Sequence, residues 1–297
     1  MNKQTFFLIL LVAGTSYGCA GSQARFTRIY DGIHSAEQRH DIATIDALSA
    51  EISGTDLAPE RMAKYSDEEL QLLYGALRKT AFYSPDNEQY VARQELTFNE
   101  KVRRGKAEEE DVERMVSAFL SARMFSQARE LKSRYPKMEL PEIPDNILPG
   151  SQPPTALWQA YAVSDGGKAI ELKSLPFSAG PKIVVVISPG CGAMQSAMTN
   201  ILADLELAPI FRANAVMITR RSDFAGVEEV KKQFNFPEVY VIRKSADFPG
   251  IWQQFSPYFY FLKDGKILHE LRGWSDDDNG AHPKKEIRKG LAAIGLI

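Results

Sequence analysis

Cysteine and histidine are scarce in this chain. Its 297 residues include two cysteines, Cys19 and Cys191, and four histidines, His34, His40, His269 and His282. That excludes a disulfide-rich scaffold and leaves no cluster with metal-ligand spacing, so neither a metal nor a cofactor is expected. Excess charge is absent too: 36 Lys and Arg against 38 Asp and Glu give a formal net charge of −2. The two signs are interspersed, which leaves no electrostatic footprint for nucleic acid. The apolar run over residues 6–13 is too short to span a bilayer comfortably. With 44% hydrophobic residues, a chain of this length can build two cores of ordinary domain size.

The first nineteen residues read as an export signal. Lys3 precedes the apolar run, and small residues lead to Gly18-Cys19-Ala20, the order of a bacterial-type leader. Cys19 at the cleavage region resembles the lipidated first residue of a lipoprotein, although Ser16 stands where a lipobox carries leucine. The reading implies a periplasmic protein anchored to the outer membrane through Cys19. Ordinary cleavage after Ala20 would instead give a soluble periplasmic or secreted protein.

Residues 25–140 are rich in helix formers and poor in β-branched runs, and are expected to form an all-α domain. Ser66-Asp67-Glu68-Glu69 matches a capping box, and Glu108 to Asp111 read as a solvated helix start. Leu73, Ala76, Leu77, Phe82 and Tyr83 correspond, 42 residues on, to Met115, Ala118, Phe119, Met124 and Phe125. The pattern resembles tetratricopeptide-like helix pairs, and a small helical bundle accounts for it equally well. Pro141, Pro144, Pro149, Pro153 and Pro154 mark a linker over residues 141–154.

From residue 155 onward the pattern changes to α/β. Residues 158–163 and 168–172 flank Asp165-Gly166-Gly167 and read as a hairpin. The unbroken apolar run over residues 183–187 suits a strand buried on both faces. It leads into Ser188-Pro189-Gly190-Cys191-Gly192 and then a helix. Residues 215–219 fit the next parallel strand and residues 224–234 a crossover helix. Residues 258–262 and 267–271 form a hairpin about Asp264-Gly265, with His269 on its surface, and residues 284–296 close the chain as a helix.

A thiol delivered to a helix start can be reactive, because unpaired amide N–H groups there stabilise a thiolate. The strand, turn and Cys191 order resembles the active-site segment of thioredoxin-like proteins, where Trp-Cys-Gly-Pro-Cys opens a helix. Here Gly190 replaces the aromatic residue and Met194 the second cysteine. The hairpin ahead of the central strand is similar to proteins of the TlpA type and to peroxiredoxins. That resemblance implies a thioredoxin-like fold over residues 155–297, a cis Pro257 beside Cys191, and a Ser256 backbone offered to a bound partner.

Three functions fit these residues. Cys191 could act as a single-thiol disulfide exchanger whose mixed disulfide an external thiol resolves. It could serve a one-cysteine peroxidase, with Arg220 or Arg221 supplying charge. Alternatively, the domain has lost its redox chemistry and is an envelope binding or assembly module. All three expect a substrate or partner outside the chain, for the first and third a protein.

Overall fold

In the computed structural model, residues 19–84, 86–148 and 157–297 are described. The expected leader over residues 1–18 and the linker prolines Pro149, Pro153 and Pro154 lie outside them. Among the described residues, no helix is long and apolar enough to cross a membrane.

The chain divides into two compact units, one ending at Ala107 and one running from Glu108 to Ile297, with the short segment 85–88 joined to the second. The first unit is helical: α1 (Cys19–Gln38), α2 (Ile42–Ala50), α3 (Pro59–Met62), α4 (Asp67–Tyr83) and α5 (Glu88–Arg103). Phe26, Ile29, Ile33 and Ala36 recur at helical spacing along α1 and are all buried, in one core with Ile45, Leu73 and Leu77. This is the periodicity that puts one face of a helix inside. The Ser66 capping box is present: Glu69 N–H donates to Ser66 Oγ at 3.1 Å and Ser66 N–H to Glu69 Oε2 at 2.7 Å. Arg104 ends the unit by donating to the carbonyls of Met62 and Tyr65 at 2.6 and 2.8 Å.

The second unit opens with a helical pair, α6 (Glu109–Ser121) and α7 (Phe125–Arg134). The division therefore falls some thirty residues earlier than the change in composition at 140 suggests, and the reason is Arg123. It occupies the turn between the two helices with φ 61°. Its guanidinium donates to Leu120 O at 2.9 Å, Ile242 O at 2.6 Å and Arg220 O at 3.4 Å. It also faces the rings of Tyr161 and Phe224, about which Phe125 packs. Burial pushes this guanidinium down to about 10, so it stays charged at neutral pH. Of the two segments matched at 42 residues, the first falls in α4 and the second runs from α6 to the first residue of α7, so they lie in different units. Asp111 is buried rather than solvated, and accepts from Glu108 N–H at 3.0 Å.

An eight-stranded mixed sheet follows, in the order β1-β3-β2-β6-β5-β4-β7-β8. β1 (Asn146–Leu148) pairs with β3 (Ala169–Ser174), itself the hairpin partner of β2 (Gln159–Ser164). At the hairpin turn, Asp165, Gly166 and Gly167 all take positive φ. β4 (Pro181–Val186), β5 (Ala215–Thr219) and β6 (Val239–Ile242) run parallel. Ile183 to Ile187 are at most 1% exposed, which is why that run is apolar on both faces. Between β4 and β5 stand two helices, α8 (Gly192–Leu202) and α9 (Leu207–Asn214), and α10 (Phe224–Phe234) crosses to β6. β7 (Tyr258–Lys263) returns antiparallel to β4, β8 (Lys266–Arg272) forms the edge, and α11 (Ala281–Ile294) closes the chain. The architecture is thus α/β, with a thioredoxin-like C-terminal fold preceded by helices. His269 is half-buried beneath α11, with Nε2 3.7 Å from Glu286 and its ring against Phe261.

Candidate functional site

The site is assembled where β4 and β7 lie side by side. Val186 pairs with Tyr258, so the turn leaving β4 lies opposite the turn entering β7. On the β4 side, Ile187 is fixed to β5 through Ile218 O at 2.8 Å, and Cys191 N–H closes a turn onto Ser188 O at 3.0 Å. Gly190 sits at φ 77°, a conformation in which a side chain would be strained. Cys191 is then the N-cap of α8, in extended conformation, with its carbonyl accepting from Gln195 N–H at 3.0 Å.

On the β7 side, the Ser256–Pro257 peptide bond is cis. The structure brings the three residues singled out in the sequence together: Cys191 Sγ–H donates to Ser256 O at 3.5 Å, and Ser188 N–H donates to Ser256 Oγ at 2.8 Å. Pro257 is buried between these contacts and β8, its carbonyl accepting from Gly273 N–H at 2.9 Å. Cys191 is half-buried and free. Gly190, Gly192 and Ala193 beside it are exposed, and a Cβ built at either glycine would meet nothing within 4 Å. Another chain can therefore approach the sulfur over these small residues. Met194 is fully buried with Ala197, Met198 and Ile201, so the place of a second cysteine is filled by core.

Three arginines and an aromatic pair attach to the two segments that carry Cys191 and Ser256. Arg221 is exposed and donates from Nε to Ser188 Oγ at 3.1 Å. Arg220 donates to Gln254 Oε1 at 3.2 Å. Trp252 and Phe255 meet edge to face at 4.6 Å, and Arg272 places its guanidinium carbon 3.5 Å from the centroid of Phe255. Neither ring seals the site, since both are only partly buried, whereas Trp158 lies in the core with Phe177 and Phe248. The phenols of Tyr258 and Tyr260, stacked at 4.4 Å, are both pushed up, first by burial, and stay neutral. The Arg272–Phe255 contact was not anticipated from the sequence, although the hairpin about Asp264-Gly265 signalled its approximate register.

Among the described residues, no group of three or more His, Cys, Asp or Glu could hold a metal. Cys19 is the first residue of α1, and its side chain lies outside the described residues.

No family model matches this sequence, and no curated protein does. Among solved structures, one reported as the solution structure of a thioredoxin-like protein in the oxidized form matches at 16% identity and a TM-score of 0.32. The match covers 47% of this chain and 93% of that one. At that level the likeness carries no weight for function, and the fold rests on the strand order and on the residues just described.

Proposed function

We propose that this protein is an exported, single-thiol thiol–disulfide oxidoreductase. The observation that carries the reading is Cys191 at the N-cap of α8 with its sulfur 3.5 Å from Ser256 O. That puts the thiol at a helix start and at a segment open to a partner chain. The thiol first releases its proton to solvent. The thiolate then attacks one sulfur of a substrate disulfide; the Cys191–substrate S–S bond forms as the substrate S–S bond breaks, and the other half leaves as thiolate. An external thiol, small or protein-borne, attacks the mixed disulfide and is itself oxidised as Cys191 is released. Cys19, as the lipidated first residue of the mature chain, would hold the protein at the periplasmic face of the outer membrane.

A second reading, a non-catalytic envelope binding module, is favoured by the buried Met194. Alkylation separates the two. With the full chain carrying Cys19→Ser, and Cys191→Ser as blank, iodoacetamide at pH 7 should modify Cys191 faster than a free small thiol. Incubation with bis(2-hydroxyethyl) disulfide should give one mixed disulfide by mass. Slow alkylation with no exchange would end the redox reading and leave the binding module.

A further inference from the structure

Ser256 is linked to two guanidiniums, each through one intervening residue. On one side, its Oγ accepts from Ser188 N–H, and Ser188 Oγ in turn accepts from Arg221 Nε. On the other, the adjacent Phe255 carries Arg272 over its ring at 3.5 Å, and Arg272 precedes Gly273, whose N–H holds Pro257 O. Cys191 Sγ contacts the carbonyl of the same Ser256. Each guanidinium is therefore one residue removed from the residue that touches the thiol.

Both arginines are exposed, and among the described residues neither forms an ion pair with a carboxylate. Glu270, two residues before Arg272 on β8, is engaged with the Tyr258 phenol, and two further acids are engaged elsewhere. Asp223 caps α10 through Gly226 N–H at 2.9 Å, and Asp276 accepts from Trp274 Nε1 at 2.9 Å and from Ser196 Oγ. Arg243, the next arginine along this end of the parallel strands, is paired with Asp247 at 2.7 Å. Guanidinium forks that keep donors open to solvent are suited to carboxylates.

We infer that Arg221 and Arg272 select the substrate of Cys191, and that this substrate is a disulfide flanked by carboxylates. The inference rests on the redox reading above. The attack is the exchange already written; the arginines hold the carboxylates on either side of the scissile S–S bond and raise the local concentration of acidic disulfides. They touch neither reacting sulfur.

Three disulfides that share a bis(ethyl) disulfide unit and end in carboxylate, hydroxyl or ammonium test this: 3,3′-dithiodipropionate, bis(2-hydroxyethyl) disulfide and cystamine. The rate of mixed-disulfide formation at Cys191 in the full chain carrying Cys19→Ser is divided, for each reagent, by that of a free small thiol. At low salt the dianion should exceed the dication by about tenfold or more. The ratio should collapse toward unity at about 0.5 M salt, where the screening length is a few ångströms. Arg221→Gln combined with Arg272→Gln should lower the ratio to within about twofold; the two Lys variants should keep it. The salt series needs no substitution and so stands even if a variant folds poorly. Peptide disulfides with Asp beside each cysteine, against the same peptides with Lys, extend the series: a gain over the small dianion points to a protein segment as the source, equality to a small acidic disulfide. Exchange with the neutral reagent but no charge preference overturns the inference alone. No exchange with any reagent overturns the redox reading and the inference with it.

Discussion

Ser188 and Ser256 are 68 residues apart in sequence and joined by a hydrogen bond of 2.8 Å from the backbone of one to the side chain of the other. This bond ties the turn that carries Cys191 to the turn that enters β7.

Ser256→Ala removes the acceptor and leaves a half-buried N–H without its partner. The expected loss is about 1 kcal/mol. Because the Ser256 carbonyl remains, the contact with Cys191 Sγ is not deleted directly. Urea unfolding followed by near-ultraviolet circular dichroism measures the loss, and Ser256→Thr, which keeps the hydroxyl, should recover most of it. Equal midpoints for the alanine variant and the parent would show that the bond contributes nothing.

Much of this neighbourhood was legible from residue order alone. The β4 run, the small-residue turn, the helix start at Cys191, the α10 span and the β7–β8 hairpin follow from apolar runs and turn residues. The Arg272 contact was harder to see. Counting back evenly from the Asp264-Gly265 turn places Leu271 opposite Tyr258, whereas an irregularity between Phe261 and Leu262 shifts the partner to Arg272. A bulge of one residue leaves no compositional trace. β1 was hidden in a proline-rich stretch, α9 merged with the helix before it, and β6 is only four residues long.

Gly290 tests whether the fold or the local preference of the chain governs α11. In an isolated helix, Gly→Ala should stabilise by about 1 kcal/mol. Here a Cβ would sit 2.5 Å from Cγ of the fully buried Phe261. Overpacking of that kind costs about 1–3 kcal/mol, so Gly290→Ala should be neutral to destabilising. A clear rise in thermal midpoint would show that α11 can move off β7 at little cost.

Glu100 gives the helical unit an acid-sensitive element. Hydrogen bonds from Arg103, and then from Arg104, hold its carboxyl down to about 2 against the opposing effect of burial. An unfolded glutamate titrates near 4.3. The folded state thus binds fewer protons in this window: the stabilisation is fully present above about pH 4.5 and is lost as pH falls toward 2. Its size is on the order of 1 kcal/mol, because Arg103 is largely solvent-exposed and screened. Glu100→Gln should therefore unfold at lower urea than the parent at pH 6, with the difference vanishing near pH 2. A gap independent of pH would point to packing rather than charge.

Arg123 gives the boundary at residue 108 a practical meaning. Its three carbonyl acceptors belong to the α6–α7 turn and to the ends of β5 and β6, so cutting the chain at residue 155 would strip Ile242 O and Arg220 O of a donor and uncover Tyr161 and Phe224. The smallest piece of this protein that keeps its redox candidate intact begins with α6. Residues that look by composition like the tail of a helical domain are in structural terms the foundation on which the thiol-bearing sheet is laid.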